Sequence, residues 1–408
     1  MKSQRIAVIY DPDSIPLLSL VAAARRSRSD LVWVTDDGDG GVLRRFGTVV
    51  SLDGCPADVA ASRLAEAGVS GITTFADTRI EQAAALTAAL ELPGNSPETA
   101  HRLVDKIAQR EALRAAGVPV PRFAGIVSRT LAGEQRDELE SLRYPVVLKP
   151  AVGYGGRDTL CLHSPAAVTE ELRQLDRAGR WRPAIVEECL GGYPPAARHG
   201  FGDYVSVELV ADAGDPIAVA LTGRMPLAEP FRETGAFLPC ALDPSEQRDI
   251  AALAVEAARA LGVRTGCLHT EIKLTDDGPR IIEVNGRVAG GGIADLVAAV
   301  TGADMYECAI RSALGEPIQL PPEVTSGAVH YHLALQPPIE RKVTLPPDWS
   351  SRLQQLPGVN KVSLRAEEAE VDARDGSYGY LLMAAGTAAD HAALLDTYRR
   401  LYDLLSPA

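Results

Sequence analysis

The chain of 408 residues is longer than one hydrophobic core normally supports, and its 46% hydrophobic content is sufficient for two or three domains. Its net charge of -13 argues against non-specific binding to nucleic acid and against binding to an anionic membrane, because both require a basic surface. No apolar run approaches the roughly 20 residues that span a bilayer, no export signal is readable, and six scattered cysteines form no paired motif. These features predict a cytoplasmic protein with reduced thiols and with neither a membrane nor a nucleic acid as partner.

Short strand and helix patterns alternate in the first 95 residues. Apolar runs rich in Val and Ile predict strands, and amphipathic stretches predict helices. Strands are expected at 5–10, 31–35, 48–52 and 71–75, and helices at 56–67 and 77–90. This alternation predicts a doubly wound parallel sheet. The breaker cluster at 92–97 is expected to end this first domain, at residues 1–95.

A single long helix is predicted at 97–116, capped by Ser96 and ended by Gly117. It lies within a linking segment at 96–122. The next residues, 123–188, have the pattern of a small strand-helix-strand module.

A larger mixed sheet is predicted at 189–315, with helices at 245–261 and 293–314. The final segment, 316–408, contains several short strand patterns and an amphipathic helix pattern at 388–405. Because this segment carries no chemical motif of its own, we expect an accessory subdomain that packs on the rest or forms a lid.

The segment 281–287, with the sequence IIEVNGR, is the most informative stretch of the chain. On a strand, Glu283, Asn285 and Arg287 project from one face, because side chains alternate. A turn at 276–279 separates this strand from a second alternating run, so a hairpin would bring Glu271 beside Glu283 and Asn285. Carboxylate and amide oxygens bind hard cations such as Mg²⁺, usually together with nucleotide phosphates. The pattern predicts a metal-phosphate site; the alternative is a solvated hairpin face.

A glycine-rich loop follows a predicted strand that carries Lys149. The loop contains Gly153, Gly155 and Gly156, and its backbone N–H groups can surround phosphate oxygens, because glycine allows close approach. The loop matches neither the dinucleotide fingerprint nor the Walker loop. Taken alone, a plain hairpin turn is the commoner explanation.

The apolar run at 184–190 is a third candidate, because it contains Glu187 and Glu188 near its end. Such a segment between two lobes can offer backbone groups to an adenine edge and a carboxylate to the adenine amino group or the ribose. Solubilising charge at a strand end is an equally good explanation when the segment is considered by itself.

Together, these motifs resemble the ATP-grasp superfamily of carboxylate-amine ligases over about residues 1–315. The ordered set is Val104-Asp105-Lys106 before 117–121, the Lys149 strand, the glycine loop, Glu187-Glu188, Glu271 and the segment 281–287. The resemblance implies an α/β ATP-grasp fold. Its parts would be an N-terminal doubly wound parallel-sheet domain, a small central nucleotide lid at 123–188 and a larger mixed-sheet C-terminal domain at 189–315.

The same resemblance implies a role for each motif residue. ATP would be held by Lys106, Lys149, Gly153, Gly155, Gly156, Glu187, Glu188, Leu190 and Asp203, with Asp203 at the ribose. Two Mg²⁺ ions, replaceable by Mn²⁺, would be held by Glu271, Glu283 and Asn285. Arg287 would be the catalytic residue that faces the reacting carbonyl.

The implied reaction begins when a substrate carboxylate attacks the γ-phosphate of ATP and forms an acyl phosphate. An amine then displaces phosphate, and a fixed guanidinium such as that of Arg287 can stabilise the oxyanion. The reaction partners implied are therefore a small-molecule carboxylate and a small-molecule amine. The protein itself could form a homodimer.

The glycines at 290–292 make the chain most similar to the L-amino acid ligases that form dipeptides or amino-acid amides. The segment 222–239 also resembles their substrate-facing strand and loop, so Arg224, Glu233 and His269 are candidates for substrate contact. Each has an ordinary explanation without a ligand: Arg224 as a surface ion-pair partner, Glu233 as a solvated loop charge and His269 as a core histidine bonded to backbone. Two rival classes stay open: an ATP-grasp enzyme of purine or carboxylation metabolism that uses formate or bicarbonate, and a non-catalytic nucleotide-binding module.

Overall fold

The computed structural model describes residues 4–12, 14, 16–36, 40–129, 131, 133–191, 200–322 and 327–405. Within these ranges the strands form sheets of four, four, eight and two strands. No helix in the described ranges combines the length and the apolar composition that a membrane span requires.

The first sheet is parallel, with the strand order β3-β2-β1-β4. Its elements are β1 (Gln4–Ile9), α1 (Leu17–Arg26), β2 (Ser29–Thr35), β3 (Thr48–Ser51), α2 (Ala57–Glu66), β4 (Gly71–Thr74) and α3 (Ile80–Ala89), with 3₁₀ turns at Gly41–Arg45 and Asp77–Arg79. Ile6 and Val8 pack towards α1, whereas Ala7 and Ile9 pack towards α2 and α3. Both faces are therefore covered by helices, which confirms the predicted doubly wound parallel sheet.

The predicted long helix at 97–116 is wrong, because the structure has two helices there, α4 (Pro97–Val104) and α5 (Lys106–Ala115). Ser96 caps α4 as expected, since its hydroxyl accepts a hydrogen bond from the Thr99 amide at 3.1 Å. Asp105 interrupts the helix with an extended backbone, and its carboxylate accepts the amides of Ile107 and Ala108. An aspartate that caps a new helix competes with continuation of the old one.

The second sheet is a small antiparallel sheet with the order β5-β8-β6-β7. Its elements are β5 (Phe123–Ile126), α6 (Glu134–Ser141), β6 (Val146–Pro150), β7 (Leu160–Leu162), α7 (Pro165–Arg177) and β8 (Ala184–Glu188). The glycine-rich loop connects β6 to β7, so it begins directly after Lys149 and Pro150.

The large sheet has eight strands in the order β13-β12-β9-β10-β11-β14-β18-β16, and every pairing in it is antiparallel rather than mixed. Its strands are β9 (Tyr204–Asp212), β10 (Asp215–Arg224), β11 (Gly235–Leu238), β12 (Gly266–Thr275), β13 (Gly278–Asn285), β14 (Val329–Leu335), β16 (Val359–Leu364) and β18 (Leu382–Ala388). Tight hairpins join β9 to β10 and β12 to β13, and a hairpin makes its two strands antiparallel. The strands β15 (Val343–Thr344) and β17 (Glu368–Ala369) pair separately. The strands after residue 315, within the final ninety or so residues, thus extend the sheet that carries Glu271 and Glu283.

The helices of this half are α8 (Pro244–Leu261), α9 (Ile293–Thr301), α10 (Met305–Ala313), α11 (Trp349–Gln354) and α12 (His391–Tyr402). The single helix predicted at 293–314 is wrong, because Gly302 ends α9 with a φ of 73° and Asp304 caps α10. The predicted last helix begins too early, because Ala388 belongs to β18.

Helix α8 covers one face of the large sheet at the strands that carry Glu208 and Glu271. Val207 and Leu209 of β9 and Ile272 of β12 pack with this helix in one apolar cluster. Because side chains alternate along a strand, Glu208 and Glu271 point to the opposite face.

Candidate active site

The acidic hairpin forms as the sequence predicts. Glu271 of β12 lies opposite Glu283 of β13, and His269 lies opposite Asn285. The two carboxylate side chains are each 21% exposed, whereas Asn285 is buried. Glu271 and Glu283 therefore share one partly accessible position of the hairpin, and Asn285 lies two residues further along β13 on the same face.

Lys106 joins the hairpin to the glycine-rich loop. Its Nζ lies 2.8 Å from Oε1 of Glu283 and donates a hydrogen bond to the carbonyl oxygen of Gly153 at 2.7 Å. The helix that carries Lys106 is fixed by Gln109, whose side chain bonds both the N–H and the C=O of Val284 at 2.9 and 2.8 Å. One lysine thus contacts both motifs that the sequence assigns to phosphate and metal.

Lys149 lies in a buried cluster with Glu187 and Arg110. Its Nζ is 2.7 Å from one carboxylate oxygen of Glu187, and Nε of Arg110 donates to the other at 2.6 Å. Arg110 also donates to the carbonyl oxygen of Ile282. Burial opposes the charge on Glu187, but the two cations outweigh it and lower the pKa of this carboxyl. Burial lowers the pKa of Lys149.

Glu187 and Glu188 point in opposite directions, because they are neighbours on a strand. The Glu188 carboxylate accepts the amide of Arg143 at 2.9 Å and contacts the guanidinium groups of Arg143 and Arg122. The Glu188 carboxylate is therefore not part of the cluster of Lys149, Glu187 and Arg110. Leu190 lies just beyond β8 and is half-buried. Asp203 pairs with Lys273 at 2.7 Å, next to the hairpin that carries Glu271.

The glycine-rich loop turns sharply after β6, with left-handed φ values of 65° at Gly155 and 70° at Gly156. Such angles favour glycine, which explains two of the three glycines in the motif. Gly153 contributes its carbonyl oxygen to Lys106. The carbonyl oxygen of Gly155 accepts the amide of Ser377 at 2.9 Å, so the final ninety residues reach this loop.

Arg287 is anchored by a residue that the sequence analysis missed. Its Nε donates to Oδ2 of Asp77 at 2.8 Å, and Nη1 donates to the carbonyl oxygen of Val288 at 3.2 Å. Although burial opposes the charge, Asp77 raises the pKa of Arg287. Asp77 begins the 3₁₀ turn after β4, at the edge of a parallel sheet where functional groups commonly lie, and this position is the only signal that the sequence offers.

A second missed residue is Glu208, which is 1% exposed. Its carboxylate lies 2.9 and 3.1 Å from Nδ1 of His269, and it accepts hydrogen bonds from Ser206 and Thr222. Nε2 of His269 lies 3.4 Å from Glu271. His269 is therefore bonded to carboxylates, not to backbone as the ordinary explanation proposes. A glutamate within the apolar run of β9 was the available signal.

Burial opposes protonation of His269, but the carboxylate of Glu208 outweighs it and raises the pKa of His269 to about 9. Burial would raise the pKa of Glu271, yet the hydrogen bond from His269 and nearby cations lower it to about 2. Glu271 is thus held as a carboxylate, the form that a cation binds.

Arg224 and Glu233, both candidates for substrate contact, form an ion pair with each other. Arg224 is 2% exposed, and its guanidinium carbon lies 5.1 Å from the centre of the Tyr204 ring. Within the described part of the chain, Nε and Nη1 of Arg224 have no hydrogen-bond partner. A buried guanidinium with two unpaired donors suits an anionic ligand.

The donors at the hairpin fit magnesium bound together with phosphate. In the described ranges no three Asp, Glu, His or Cys side chains converge on a point that could hold a metal. Glu271, Glu283 and Asn285 provide hard oxygen atoms but too few for a closed protein site. A Mg²⁺ ion that keeps several ligands from phosphate and water matches such a set.

Comparisons with known proteins give the family and the fold. The family model described as "Carbamoyl-phosphate synthase L chain, ATP binding domain" matches residues 105–320. An uncharacterized protein, y4rH, of Sinorhizobium fredii is 30% identical over 330 residues, which cover 78% of this chain and 64% of that protein. Alanine–anticapsin ligase of Bacillus subtilis is 27% identical over 253 residues, covering 59% of this chain and 53% of that enzyme. The chain therefore spans less than two thirds of these relatives.

A solved structure, the L-amino acid ligase from Bacillus licheniformis, superposes with a TM-score of 0.76 at 20% sequence identity. The match covers 99% of this chain and 98% of that enzyme. At this identity the likeness shows the fold, including the part of the chain after residue 315.

Proposed function

Because the chain belongs to the ATP-grasp family defined by the carbamoyl-phosphate synthase ATP-binding domain, we propose that it is an ATP-dependent carboxylate-amine ligase that acts on amino acids. It would convert a carboxylate into an acyl phosphate and couple it to an amine, with release of ADP and phosphate. The observation that carries the proposal is Lys106, which contacts Glu283 and the glycine-rich loop at once.

The nucleotide phosphates are assigned to Lys106, Lys149 and the loop at Gly153, Gly155 and Gly156. The two lysines come from separate elements, α5 and β6, and both are largely buried. Burial makes a paired cation attract phosphate more strongly than it would in water. In the bound state phosphate oxygens would replace the carboxylates as partners of the lysine amines.

Magnesium would be held by Glu271, Glu283 and Asn285, and when bound it offsets the charge of the phosphate oxygens. The chain itself keeps Glu271 ionised through His269 and Glu208. Glu283, which contacts Lys106 at 2.8 Å, would then be a ligand of the cation, and the Lys106 amine would be available to phosphate.

Arg287 is assigned to the oxyanion that develops when the amine attacks the acyl phosphate. Asp77 holds Nε of this guanidinium, so the side chain is oriented before the reaction and little reorganisation is needed. Its raised pKa keeps it charged throughout the working pH range.

Contacts to the amino acid are assigned to Arg224, Glu233 and His269. The two unpaired donors of Arg224 suit a carboxylate, and Glu233, which is 41% exposed, suits an α-amino group. The name of the relative in Bacillus subtilis, alanine–anticapsin ligase, supports an amino acid as substrate.

The decisive experiment measures phosphate and ADP release over pairs of amino acids in the presence of ATP and Mg²⁺. We expect release only with particular pairs, together with a product whose mass equals the two amino acids minus water. The Arg287→Met variant serves as the inactive control. Release that requires formate or bicarbonate would support the rival class instead, and binding of MgATP without turnover under any pair would support the non-catalytic module.

A further inference from the structure

Residues 374–378, called the bridging segment below, lie against the glycine-rich loop. The amide of Ser377 donates to the carbonyl oxygen of Gly155 at 2.9 Å, and the amide of Asp158 donates to the carbonyl oxygen of Arg374 at 3.0 Å. These are backbone hydrogen bonds between the final ninety residues and the loop assigned to phosphate. They fix the position of the bridging segment relative to the glycine-rich loop.

Two glycines allow this close approach. Gly155 and Gly376 each have a φ of 65°. A Cβ atom on Gly155 would overlap the ring of Tyr378, and one on Gly376 would overlap the carbonyl oxygen of Gly155. The two backbones therefore meet with no room for a side chain, which is how glycine is used where chains approach closely.

Charged side chains fix the bridging segment to the small sheet from a second side. Nη2 of Arg374 contacts both carboxylate oxygens of Glu171 on α7, at 2.8 and 2.9 Å. The guanidinium carbon of Arg157 lies 4.7 Å from the centre of the Tyr378 ring. The bridging segment is thus part of the environment of the glycine-rich loop, not a surface that merely touches it.

The same segment contacts the loop that presents Glu233. The hydroxyl of Ser377 accepts the amide of Glu233 at 2.9 Å. Nε2 of Gln336 donates to the carbonyl oxygens of Ser377 and Glu233, at 2.8 and 2.9 Å. Gln336 is buried and is itself held by Arg232, which donates to it at 3.2 Å. Ser377 is therefore bonded to the phosphate loop through its amide and to the substrate loop through its hydroxyl.

We propose that Ser377 is a positioning residue that couples nucleotide binding at the glycine-rich loop to the order of the loop at 228–235. A nucleotide that orders Gly155 also restrains Ser377, and the hydroxyl of Ser377 passes this restraint to Glu233. The conformational entropy of the second loop is then partly lost before the amino acid binds, so the two ligands bind cooperatively. This inference rests on the function proposed above.

The test is hydrogen exchange measured by mass spectrometry on the full chain, with and without MgADP as the probe. In the wild type we expect MgADP to slow amide exchange in peptides that cover 151–158 and also, by about five-fold, in peptides that cover 228–235. Ser377→Ala should keep the first response and weaken the second, because only the bonds of Gln336 to the two carbonyl oxygens remain. Ser377→Thr keeps a hydroxyl and should restore the second response. Ser350→Ala, which removes an exposed hydroxyl of the same half of the chain, is the matched control and should behave as the wild type.

In Ser377→Ala the Glu233 amide loses its hydrogen-bond partner whether or not a nucleotide is bound, so its exchange rate changes for a local reason. The quantity to compare between variants is therefore the ratio of exchange rates without and with MgADP. Calorimetric titration with MgADP completes the test. If MgADP binds and slows exchange at 151–158 while 228–235 does not respond in the wild type, or responds equally in Ser377→Ala, the coupling is refuted and the nucleotide site stands. If MgADP does not bind the wild type, the proposed function fails, and this inference fails with it.

Discussion

Oδ2 of Asp77 accepts a hydrogen bond from Nε of Arg287 at 2.8 Å, although 210 positions separate the two residues. The parallel sheet at the amino end of the chain therefore supplies a direct partner to the guanidinium assigned to catalysis. Both side chains are less than one-fifth exposed, so solvent screens this pair only in part.

Asp77→Asn should lower turnover by about 10- to 100-fold while leaving the affinity for MgADP nearly unchanged, because the guanidinium loses its charged partner but the nucleotide contacts remain. Steady-state rates and calorimetric titration measure the two effects. Asp36→Asn is the matched control, since Asp36 is an exposed residue just after β2 that pairs with Arg79, in the same 3₁₀ turn as Asp77. Equal turnover in Asp77→Asn and wild type would show that Arg287 needs no support from this sheet.

Arg287→Met should leave nucleotide binding largely intact and lower product formation by about 100-fold or more, as expected when a fixed oxyanion donor is removed. The same experiment on Arg280→Met, an arginine of the same hairpin that donates to the carbonyl oxygen of Val120, controls for loss of charge. Unchanged turnover in Arg287→Met would remove this residue from the mechanism.

Glu283→Gln should raise the Mg²⁺ concentration needed for half-maximal ATP turnover by about ten-fold, because a carboxylate is the stronger ligand of a hard cation. A titration of turnover against Mg²⁺ at fixed ATP measures the shift. Glu98→Gln alters an exposed glutamate on α4 and should leave the curve in place. A wild-type curve for Glu283→Gln would exclude this residue from the metal site.

The pair of Glu208 and His269 predicts a pH dependence of stability. In the folded chain the pKa of His269 is raised from the ordinary 6.5 to about 9. The stabilisation that protonated His269 contributes to the fold is therefore complete below pH 6.5 and is lost as the pH rises through 9. The free energy of unfolding should fall by at most about 3 kcal/mol over this interval, as measured by urea unfolding with a chelator present.

Glu208→Gln should flatten that dependence, because burial then disfavours the imidazolium. Glu81→Gln breaks an exposed glutamate-histidine contact with His101 and should keep the slope of the wild type. A slope that survives in Glu208→Gln would assign the effect to another group.

The sequence was sufficient to predict the hairpin of Glu271 and Glu283. Alternation of apolar and polar residues shows which side chains share a face of each strand, and the short turn between the two strands shows that they pair with each other. Such signals were not sufficient at Asp105, where an aspartate without glycine or proline divides a helical pattern. Such a residue is tolerated inside many helices, and only its bonds to Ile107 and Ala108 show the break.

The partners of the site residues were much harder to predict than the residues themselves. Arg110 lies on an ordinary amphipathic helix pattern, and nothing in its neighbours indicates that it is fully buried against Glu187. Asp77 and Ser377 come from segments without a motif, and each reaches the site through the arrangement of whole sheets. Contacts of that kind depend on tertiary packing, which short sequence patterns do not encode.

The strands β14, β18 and β16 continue the sheet that begins with the hairpin of Glu271 and Glu283. A shortened polypeptide that stops at residue 315 would leave the outer side of β11 without a neighbour. Open backbone donors and acceptors on such a rim invite pairing between molecules, so the shortened polypeptide should precipitate or self-associate even though it keeps Glu271, Glu283 and Arg287.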